Sequence, residues 1–370
     1  MYSDADRAHM TRALVLARKG LFTTTPNPRV GCVIVKDGDV VGEGWHRQTG
    51  EPHAEILALA QAGGRARGAT VYVTLEPCSH HGRTPPCTDI LIEASVGRVI
   101  AAMEDPNPVV NGQGLERLRA AGIDVRCGLM AQEAIELNRG FVSRMARGRP
   151  WTRLKIAASL DGVSALSDGR SKWITSEAAR ADGHRWRARA CAVLTGIGTV
   201  KADNPALTVR MVPTPRQPVK VLIDSRLEAN PAAEIFHEAR VLVLHAVPEE
   251  SLDPARAARL EDVGCTLVSL PGPRGKVDLV AAMQELGRRE FNEVHVEAGH
   301  KLNGSLVTAG CIDELLVYLA PSLLGQGRPM FDLPEISDLE RRVRLDWIDM
   351  DRVGEDLRLR ARLPGAAAPG

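Results

Sequence analysis

Four residues in the first quarter of the chain have the types and spacing of a catalytic zinc site. His53 offers an imidazole, and Cys78 and Cys87 offer two thiolates. Three protein ligands of these kinds leave the fourth tetrahedral position open for water, which distinguishes catalytic zinc sites from closed structural ones. Glu55 stands two residues after His53, so its carboxylate can move a proton of that water without touching the metal.

The order of these residues is typical of one class of zinc enzymes. A His-x-Glu segment followed by Pro-Cys, here Pro77-Cys78, is the pattern of zinc-dependent nucleobase deaminases. The commonest form separates the two cysteines by two residues, whereas eight residues separate Cys78 from Cys87. A glycine and two prolines among those eight favour turns that return the chain to the metal. An isolated cysteine or histidine is more often an ordinary buried residue, but the four in this order predict a zinc site.

Length and composition narrow the class of protein. The 370 residues suggest about two domains, and no apolar run approaches the roughly 18 residues of a membrane span. Because 47 basic side chains balance 46 acidic ones, no net charge favours nucleic acid or an anionic membrane, and we expect a small-molecule partner. Seven scattered cysteines form no disulfide framework, and the charged N-terminus does not resemble a signal peptide. We therefore expect a cytoplasmic protein.

The segments around the zinc residues alternate between strands and helices. A capped, acidic start predicts a first helix from Ser3 to Gly20. Apolar patterns then predict strands over residues 30–35, 40–45, 69–75, 98–103 and 124–127, and helices over 87–94 and 115–121. This alternation is typical of a layered α/β domain with its site at the strand ends. Asn27 before the first strand and His46 after the second are candidates to face the metal pocket.

A second α/β pattern follows a domain boundary at residues 144–150, where the apolar periodicity fails and charge, glycine and proline accumulate. The pattern predicts strands over residues 191–195, 219–225, 241–245, 294–297 and 315–320, helices over 176–190 and 302–308, and a loop over 196–205. We expect the last residues, 363–370, to be disordered.

Three features of this second half suit a nucleotide. Gly196-x-Gly198 after a strand is a fragment of a nucleotide-loop pattern, although a tight turn explains it equally well. Gly299 stands between a strand and a helix, where backbone N–H groups suit a phosphate. Ser225-Arg226 ends another strand, and an arginine there favours the 2′-phosphate of NADP over NAD. From the residues alone, a nucleotide site and ordinary turns are equally open.

Seven segments carry a more specific signal. They are His53-Ala-Glu55, Thr74-Leu-Glu-Pro-Cys-Ser-His-His-Gly-Arg-Thr-Pro-Pro-Cys87, Lys155-Ile-Ala-Ala-Ser-Leu-Asp-Gly162, Trp173-Ile-Thr-Ser176, Asp203-Asn-Pro-Ala-Leu-Thr-Val-Arg210, Ile223-Asp-Ser225 and Val296-Glu-Ala-Gly299. Together they resemble the bifunctional deaminase/reductases of riboflavin biosynthesis. The similarity extends from residue 1 to about residue 360, and the long cysteine spacing is this family's own form.

The resemblance implies an α/β fold with a cytidine-deaminase-like zinc domain, residues 1–146, and a dihydrofolate-reductase-like domain, residues 151–363. The first would hydrolyse the 2-amino group of 2,5-diamino-6-(5-phosphoribosylamino)pyrimidin-4(3H)-one. The second would reduce the product, 5-amino-6-(5-phosphoribosylamino)uracil, to its ribitylamino form with NADPH. The implied cofactors are Zn²⁺ and NADPH, the implied partners are these small phosphoribosylaminopyrimidines, and the family implies a homo-oligomer formed through the reductase domain.

The resemblance also assigns site residues by position. It implies His53, Cys78 and Cys87 as zinc ligands and Glu55 as the catalytic proton carrier. The candidates to hold the deaminase substrate are Asn27, His46, Arg83, Asp105 and Asn107. The positions implied for NADPH are Ala157, Trp173, Thr199, Asp203, Ser225, Gly299, His300, Lys301, Leu302, Asn303, Gly304 and Ser305. Those implied for the reductase substrate are Ser171, Arg187, Leu207, Arg210 and Glu297, of which the two arginines suit a ribose phosphate.

Two further points concern the reductase half. Lys155 and Asp161, near its start, are expected to shape the cofactor pocket. His300 departs from the family, in which the position after Gly299 is usually small or proline.

Two other classes of function share part of this pattern. A tRNA or free-base deaminase would have the same zinc site, but it more often has the two-residue cysteine spacing and a basic face. The balanced charge and the second α/β domain argue against that class. A structural zinc module would need four protein ligands and would have no use for Glu55.

Overall fold

The computed structural model describes residues 2–79, 85–108, 110–237 and 240–365. The chain divides into two units, Met1–Arg147 and Gly148–Gly370. Arg83 and the tail residues 366–370 lie outside the described residues, so the predictions made for them are not addressed by the structure. Among the described helices, none is long and apolar enough to cross a membrane.

The first unit is built on one five-stranded sheet. Its elements are α1 (Asp4–Arg18), β1 (Gly31–Lys36), β2 (Asp39–Trp45), α2 (Ala54–Ala62), β3 (Thr70–Val73), α3 (Cys87–Glu93), β4 (Arg98–Ala101), α4 (Gln113–Ala120), β5 (Asp124–Cys127), α5 (Ala131–Leu137) and α6 (Arg139–Arg147). The strand order is β2-β1-β3-β4-β5. β1 is antiparallel to both neighbours, whereas β3, β4 and β5 are parallel.

Two glycines allow α2 to lie directly on the sheet. A Cβ at Gly42 would lie 2.1 Å from the carbonyl oxygen of Ala58, and a Cβ at Gly44 would lie 2.1 Å from that of Ala54. A larger side chain at either of these two positions would therefore push α2 away from the sheet. Because His53 is the N-cap of α2 and Glu55 lies in its first turn, this close packing fixes both residues relative to the sheet.

The second unit is built on a nine-stranded sheet. Its strands are β6 (Trp151–Ser159), β7 (Val163–Leu166), β8 (Ala192–Gly196), β9 (Val219–Ile223), β10 (Val241–His245), β11 (Thr266–Ser269), β12 (Glu293–Val296), β13 (Glu314–Ala320), β14 (Gly327–Pro329), β15 (Asp346–Val353) and β16 (Asp356–Arg362). Its helices are α7 (Glu177–Arg189), α8 (Ile197–Asp203), α9 (Pro254–Glu261), α10 (Leu279–Arg288) and α11 (His300–Thr308).

The strand order of the large sheet is β11-β10-β9-β8-β12-β6-β13-β16-β15, and β7 and β14 form a separate pair. All neighbours are parallel except β13, β16 and β15, which run antiparallel to one another in turn. The central strands β8 and β12 are buried along their whole length. Burial along the whole strand is typical of parallel sheets covered on both faces.

A buried ionic cluster lies on strands β6, β12 and β13. Arg153, which is fully buried, lies within 3.4 Å of Glu293 and 3.1 Å of Glu314. Each of these carboxylates has a second arginine partner, Arg189 at 2.7 Å from Glu293 and Arg360 at 2.8 Å from Glu314. These ion pairs offset the cost of removing the charges of Arg153, Glu293 and Glu314 from water.

The structure confirms the predicted alternation of strands and helices and the α/β class of both units. The loop predicted over residues 196–205 is wrong, because Ile197–Asp203 forms α8. Glycine and β-branched residues are weak helix formers, but Val200 is buried beneath the helix and Asn204 ends it in a left-handed conformation. Tertiary packing therefore stabilises a helix that its local sequence does not favour.

Candidate functional site

The three predicted metal ligands converge in the first unit. His53 Nδ1 lies 3.2 Å from Cys87 Sγ and 3.7 Å from Cys78 Sγ, and the three ligand atoms lie within 4.8 Å of one another. His53 caps α2, Cys87 begins α3, and the backbone N–H of Cys87 donates to Cys78 Sγ at 3.3 Å. Cys87 therefore lies next to Cys78 in space, although eight residues separate the two cysteines in the sequence.

The donor set fits zinc. One imidazole and two sulfurs are ligands that Zn²⁺ prefers, and a hydrogen bond from Cys87 lowers the pKa of Cys78 to about 4. The same contact raises the pKa of Cys87, so the pair shares one proton that a dication would displace. No fourth His, Cys, Asp or Glu joins the cluster within the described part of the chain. Three ligands leave one tetrahedral position for water.

Glu55 is buried beside this cluster. Only 3% of the residue is exposed, and burial raises the pKa of its carboxyl group. Its side chain contacts Cys87 rather than solvent. A buried carboxyl group of raised pKa next to an open metal position is suited to taking up and releasing a proton.

Asn27 and His46, which are not members of the ligand cluster, lie beside His53. The His46 ring lies edge-on to the His53 ring at 5.5 Å. His46 Nδ1 lies 3.3 Å from the carbonyl oxygen of Pro52, so this nitrogen is the donor. Burial lowers the pKa of His46, and its neutral Nε2 then accepts the amide of Asn27 at 3.1 Å. The pair presents a fixed polar group next to the first ligand.

Asp105 and Asn107 lie on the loop after β4, the strand that neighbours β3 in the sheet. Asp105 is 8% exposed, and its Oδ1 accepts the backbone N–H of Asn107 at 2.8 Å. Its own N–H donates to Glu76 Oε2 at 3.0 Å. Glu76 lies two residues before Cys78 and was not predicted as a functional residue. The only sequence signal for it was a charged residue directly after an apolar strand.

The second unit contains a separate cavity of about 1500 Å³ at the ends of its parallel strands. Predicted residues from both reductase sets line it: Ala157, Ser171, Trp173, Arg187, Thr199, Asp203, Leu207, Arg210, Ser225, Glu297, Gly299, His300, Lys301, Leu302, Asn303 and Ser305. The two helices α8 and α11 begin at this cavity, with Gly196 and Gly299 as their N-caps. Their free N–H groups suit phosphates.

Two predicted positions do not line this cavity. Gly304 packs against the backbone of Asp332, where a Cβ would lie 2.0 Å from the carbonyl oxygen of Asp332. Asp161 instead accepts the backbone N–H of Gly325 at 2.8 Å and that of Leu324 at 3.2 Å. Gly304 thus allows close helix packing, and Asp161 holds a neighbouring turn.

A largely buried ion pair lies on one wall of the cavity. Arg187 donates through Nε and Nη2 to Glu297 Oε1, both at 2.8 Å. Burial alone would raise the pKa of Glu297, but Arg187, His295 and Lys155 outweigh it and hold that pKa well below the usual range. Burial lowers the pKa of Lys155 on the same wall. The cavity thus holds a carboxylate between two cations.

His184 is a second residue that sequence analysis missed. It lines the cavity from α7, and its Nδ1 accepts the backbone N–H of Arg210 at 3.3 Å. Burial, together with Arg187 and Arg210, lowers the pKa of His184 to about 4, so it is neutral at physiological pH. A lone histidine in a helix rich in arginine and alanine gave no sequence signal.

Comparison with known proteins agrees with this division of the chain. Residues 3–103 match the family model described as "Cytidine and deoxycytidylate deaminase zinc-binding region", and residues 150–359 match "RibD C-terminal domain". The riboflavin biosynthesis protein RibD of Escherichia coli is 48% identical, over 95% of this chain and 98% of its own. The protein of the same name from Haemophilus influenzae is 45% identical, over 97% of each chain.

Solved structures give the same result. Acinetobacter baumannii RibD, form 1, has a TM-score of 0.87 and 41% identity, over 97% of this chain and 99% of its own. The diaminohydroxyphosphoribosylaminopyrimidine deaminase/5-amino-6-(5-phosphoribosylamino)uracil reductase of Thermotoga maritima has a TM-score of 0.85 and 35% identity, with the same coverage.

Proposed function

The chain belongs to the RibD family and is a bifunctional deaminase and reductase of riboflavin biosynthesis, and from this premise we propose which residues perform each reaction. Residues 1–146 deaminate the 2-amino group of 2,5-diamino-6-(5-phosphoribosylamino)pyrimidin-4(3H)-one. Residues 151–363 reduce the resulting 5-amino-6-(5-phosphoribosylamino)uracil with NADPH. The observation that carries the proposal is the convergence of His53, Cys78 and Cys87 around a buried Glu55.

In the deaminase, His53, Cys78 and Cys87 hold Zn²⁺. When bound, zinc lowers the pKa of a water molecule towards about 7 and so supplies a nucleophile at neutral pH. Glu55 would accept one proton of the attacking water and pass it to the pyrimidine ring, and would then take up the second proton of the same oxygen and deliver it to the amino group that leaves as ammonia. Its burial supports this role, because burial raises the pKa of the carboxyl group and so favours uptake of a proton.

The deaminase substrate is held by polar groups around the metal. Asn27 is fixed by the neutral His46 ring and offers its remaining amide groups to the pyrimidine. Asp105 and Asn107, on the loop after β4, contact the ribose phosphate or the ring, and the hydrogen bonds that hold their backbone support this assignment. Arg83, outside the described residues, supplies a cation for the phosphate.

In the reductase, NADPH supplies the hydride when bound. The N-termini of α8 and α11, with Thr199 and the α11 residues that line the cavity, hold its phosphates. Ala157, Trp173 and Asp203 complete the cofactor wall. Ser225, just after β9, accepts the backbone N–H of Val277 at 3.2 Å. The next residue, Arg226, also lines the cavity, and its guanidinium group favours the 2′-phosphate.

The reductase substrate lies against Ser171, Leu207, Arg210 and the Arg187–Glu297 pair. Arg210 is exposed in the cavity and binds the ribose phosphate. Arg187 is committed to Glu297 and to the carbonyl oxygen of Thr208. It therefore orients Glu297 towards the sugar, where Lys155 provides a proton-donating group.

We also propose that the chain is a homo-oligomer through its reductase domain. β15 is the edge strand of the nine-stranded sheet, and Trp347 and Met350 on it are 60% and 66% exposed. Exposed apolar side chains on an edge strand favour contact with a second copy. Changing both residues to lysine is expected to lower the molar mass measured by light scattering. An unchanged mass would contradict the assignment of this surface.

The enzyme is proposed to work in the cytoplasm. All seven cysteines are free, and Cys78 and Cys87 must remain reduced to bind a metal. A reducing compartment meets that requirement.

A coupled assay tests the proposed function. Zinc-loaded protein is given the diaminopyrimidine substrate with NADPH, and ammonia release and NADPH oxidation are followed separately. We expect ammonia first and NADPH oxidation after it. Ammonia without NADPH oxidation would contradict the reductase assignment. No ammonia from zinc-replete protein would contradict the deaminase assignment, and the reductase would then be tested with the aminouracil supplied directly.

A further inference from the structure

Glu76 holds a buried carboxylate that the two reactions do not use. It is 3% exposed, and both of its oxygens are occupied by backbone donors. Oε2 accepts the N–H groups of Asp105 at 3.0 Å and Gly112 at 2.9 Å. Oε1 accepts those of Gly114 at 2.8 Å and Leu115 at 3.3 Å. Because four N–H groups surround it, this carboxylate is an acceptor and not a metal ligand or proton carrier.

These donors belong to the first turn of α4 and to the loop after β4. The N-cap of α4 is Gly112, which has no side chain to accept a hydrogen bond. Glu76 therefore supplies from another segment the acceptor that a helix start requires. Its negative charge also lies at the positive end of the helix dipole. The contact joins the segment before Cys78 to α4.

Packing leaves little freedom at this junction. A Cβ at Gly114 would lie 2.1 Å from the carbonyl oxygen of Pro77 and 3.0 Å from Glu76 Oε1. The backbone N–H of Glu76 also donates to Met103 at 3.0 Å, which ties it to the end of β4. The backbone from Glu76 to Cys78 thus lies directly against α4 and the strand that leads to Asp105.

The same carboxylate organises the predicted substrate loop. Glu76 fixes the N–H of Asp105, and Asp105 Oδ1 in turn accepts the N–H of Asn107. A chain of hydrogen bonds therefore runs from the residue two positions before a zinc ligand to both substrate candidates. Loss of the acceptor at its centre would release the loop without removing any group that contacts metal or substrate.

We propose that Glu76 is a positioning residue of the deaminase, which sets the loop of Asp105 and Asn107 at a fixed distance from the metal ligand Cys78. This inference rests on the proposed role of Asp105 and Asn107 in substrate binding. Under this proposal, Glu76 increases the affinity for the phosphoribosylaminopyrimidine and does not affect the rate of the chemical step.

The test is the variant Glu76→Gln. Glutamine has the same size, but its amide NH₂ group faces N–H donors where the carboxylate had an acceptor. We expect KM for the diaminopyrimidine to rise at least about tenfold while kcat changes less than about threefold. Zinc content and NADPH oxidation with the deaminated product are expected to stay at wild-type values. Glu93→Gln, which removes an exposed acid of the same unit, is the matched control and should leave KM unchanged.

Four results test the inference and its premise. An unchanged KM in Glu76→Gln would overturn the proposal, and so would loss of zinc, since Glu76 would then support the ligand segment rather than the loop. If Glu76→Gln raises KM but Asp105→Ala and Asn107→Ala do not, the substrate role of the loop is wrong. A double variant of Glu76→Gln with Asp105→Ala is expected to raise KM less than the product of the two single effects, because both act through one loop. Full multiplication of the effects would contradict the proposal.

Discussion

Removing the charge of Glu297 is predicted to disable the reductase and leave the deaminase intact. In Glu297→Gln, Arg187 loses its carboxylate partner in a part of the cavity where both side chains are largely buried, at 10% and 18% exposure. Lys155, on the same wall, loses the carboxylate that offsets its burial. Both cations are then uncompensated where the sugar is proposed to bind.

The geometry sets the size of the effect. Removing one partner of a buried ion pair costs about 3–5 kcal/mol. Glutamine keeps one acceptor oxygen for Arg187, which places the expected loss at the lower end, about 3 kcal/mol. If this loss falls on the bound transition state, kcat/KM of the reductase falls by roughly a hundredfold.

The assay follows NADPH oxidation with the aminouracil substrate supplied directly, and ammonia release with the diaminopyrimidine. Glu285→Gln is the matched control, because Glu285 pairs with Arg288 and Arg289 on the surface of α10, where such pairs contribute at most about 1 kcal/mol. A reductase kcat/KM within about threefold of wild type in Glu297→Gln would refute the reasoning. So would an equal loss of ammonia release.

Three further outcomes are expected. Arg153→Met should lower the free energy of unfolding of the second unit by about 3 kcal/mol, because it leaves Glu293 and Glu314 with one arginine each, whereas Arg170→Met on the surface should cost less than about 1 kcal/mol. Tryptophan fluorescence in denaturant measures this, and equal losses in the two variants would contradict it. The second concerns His184, whose pKa is lowered to about 4 in the folded state from an ordinary value near 6.5. Its neutral form therefore contributes stability above about pH 6.5 that is lost as the pH falls towards 4. His184→Gln should weaken that loss, and an identical pH dependence would argue against it. Finally, a zinc chelator should abolish ammonia release and leave NADPH oxidation with the aminouracil unchanged, and a parallel loss of both activities would contradict separate sites.

The zinc centre could be predicted from the sequence because ligand chemistry restricts residue type. Only a few side chains bind zinc, so His53, Cys78 and Cys87 are informative even with an unusual spacing. Glu55 is informative for the same reason, since its position relative to His53 matches the role of a proton carrier. The alternation of strands and helices was likewise visible in the apolar periodicity.

Residues that act through the backbone of distant segments gave no such signal. Glu76 binds N–H groups 29 to 39 residues away, and any residue but proline supplies an N–H. His184 likewise accepts a backbone N–H from a distant segment, that of Arg210, which any residue but proline could supply. The cavity of the reductase is assembled from segments between Lys155 and Asp332, so spacing carries little information and the assignments there came from the family resemblance.

The short helix α8 shows a different limit. Its sequence contains Gly198 and β-branched residues that favour a loop. The helix forms because Val200 is buried and because Gly196 lies against Leu302 of α11, where a Cβ would be 2.9 Å from the leucine side chain. Those contacts exist only in the folded sheet, so local propensity cannot reveal them.

The measurement that tests the central claim most directly is ammonia release by Glu55→Gln in protein whose zinc content has been determined. The account predicts full zinc occupancy, unchanged NADPH oxidation with the aminouracil, and a loss of ammonia release of about 10²–10⁴-fold, the range expected when a proton-transfer group is removed. Glu133→Gln, an exposed acid of the same unit, should behave as wild type. Ammonia release within a few-fold of wild type in zinc-loaded Glu55→Gln would contradict the account, because His53, Cys78 and Cys87 would then act without the proton carrier assigned to them.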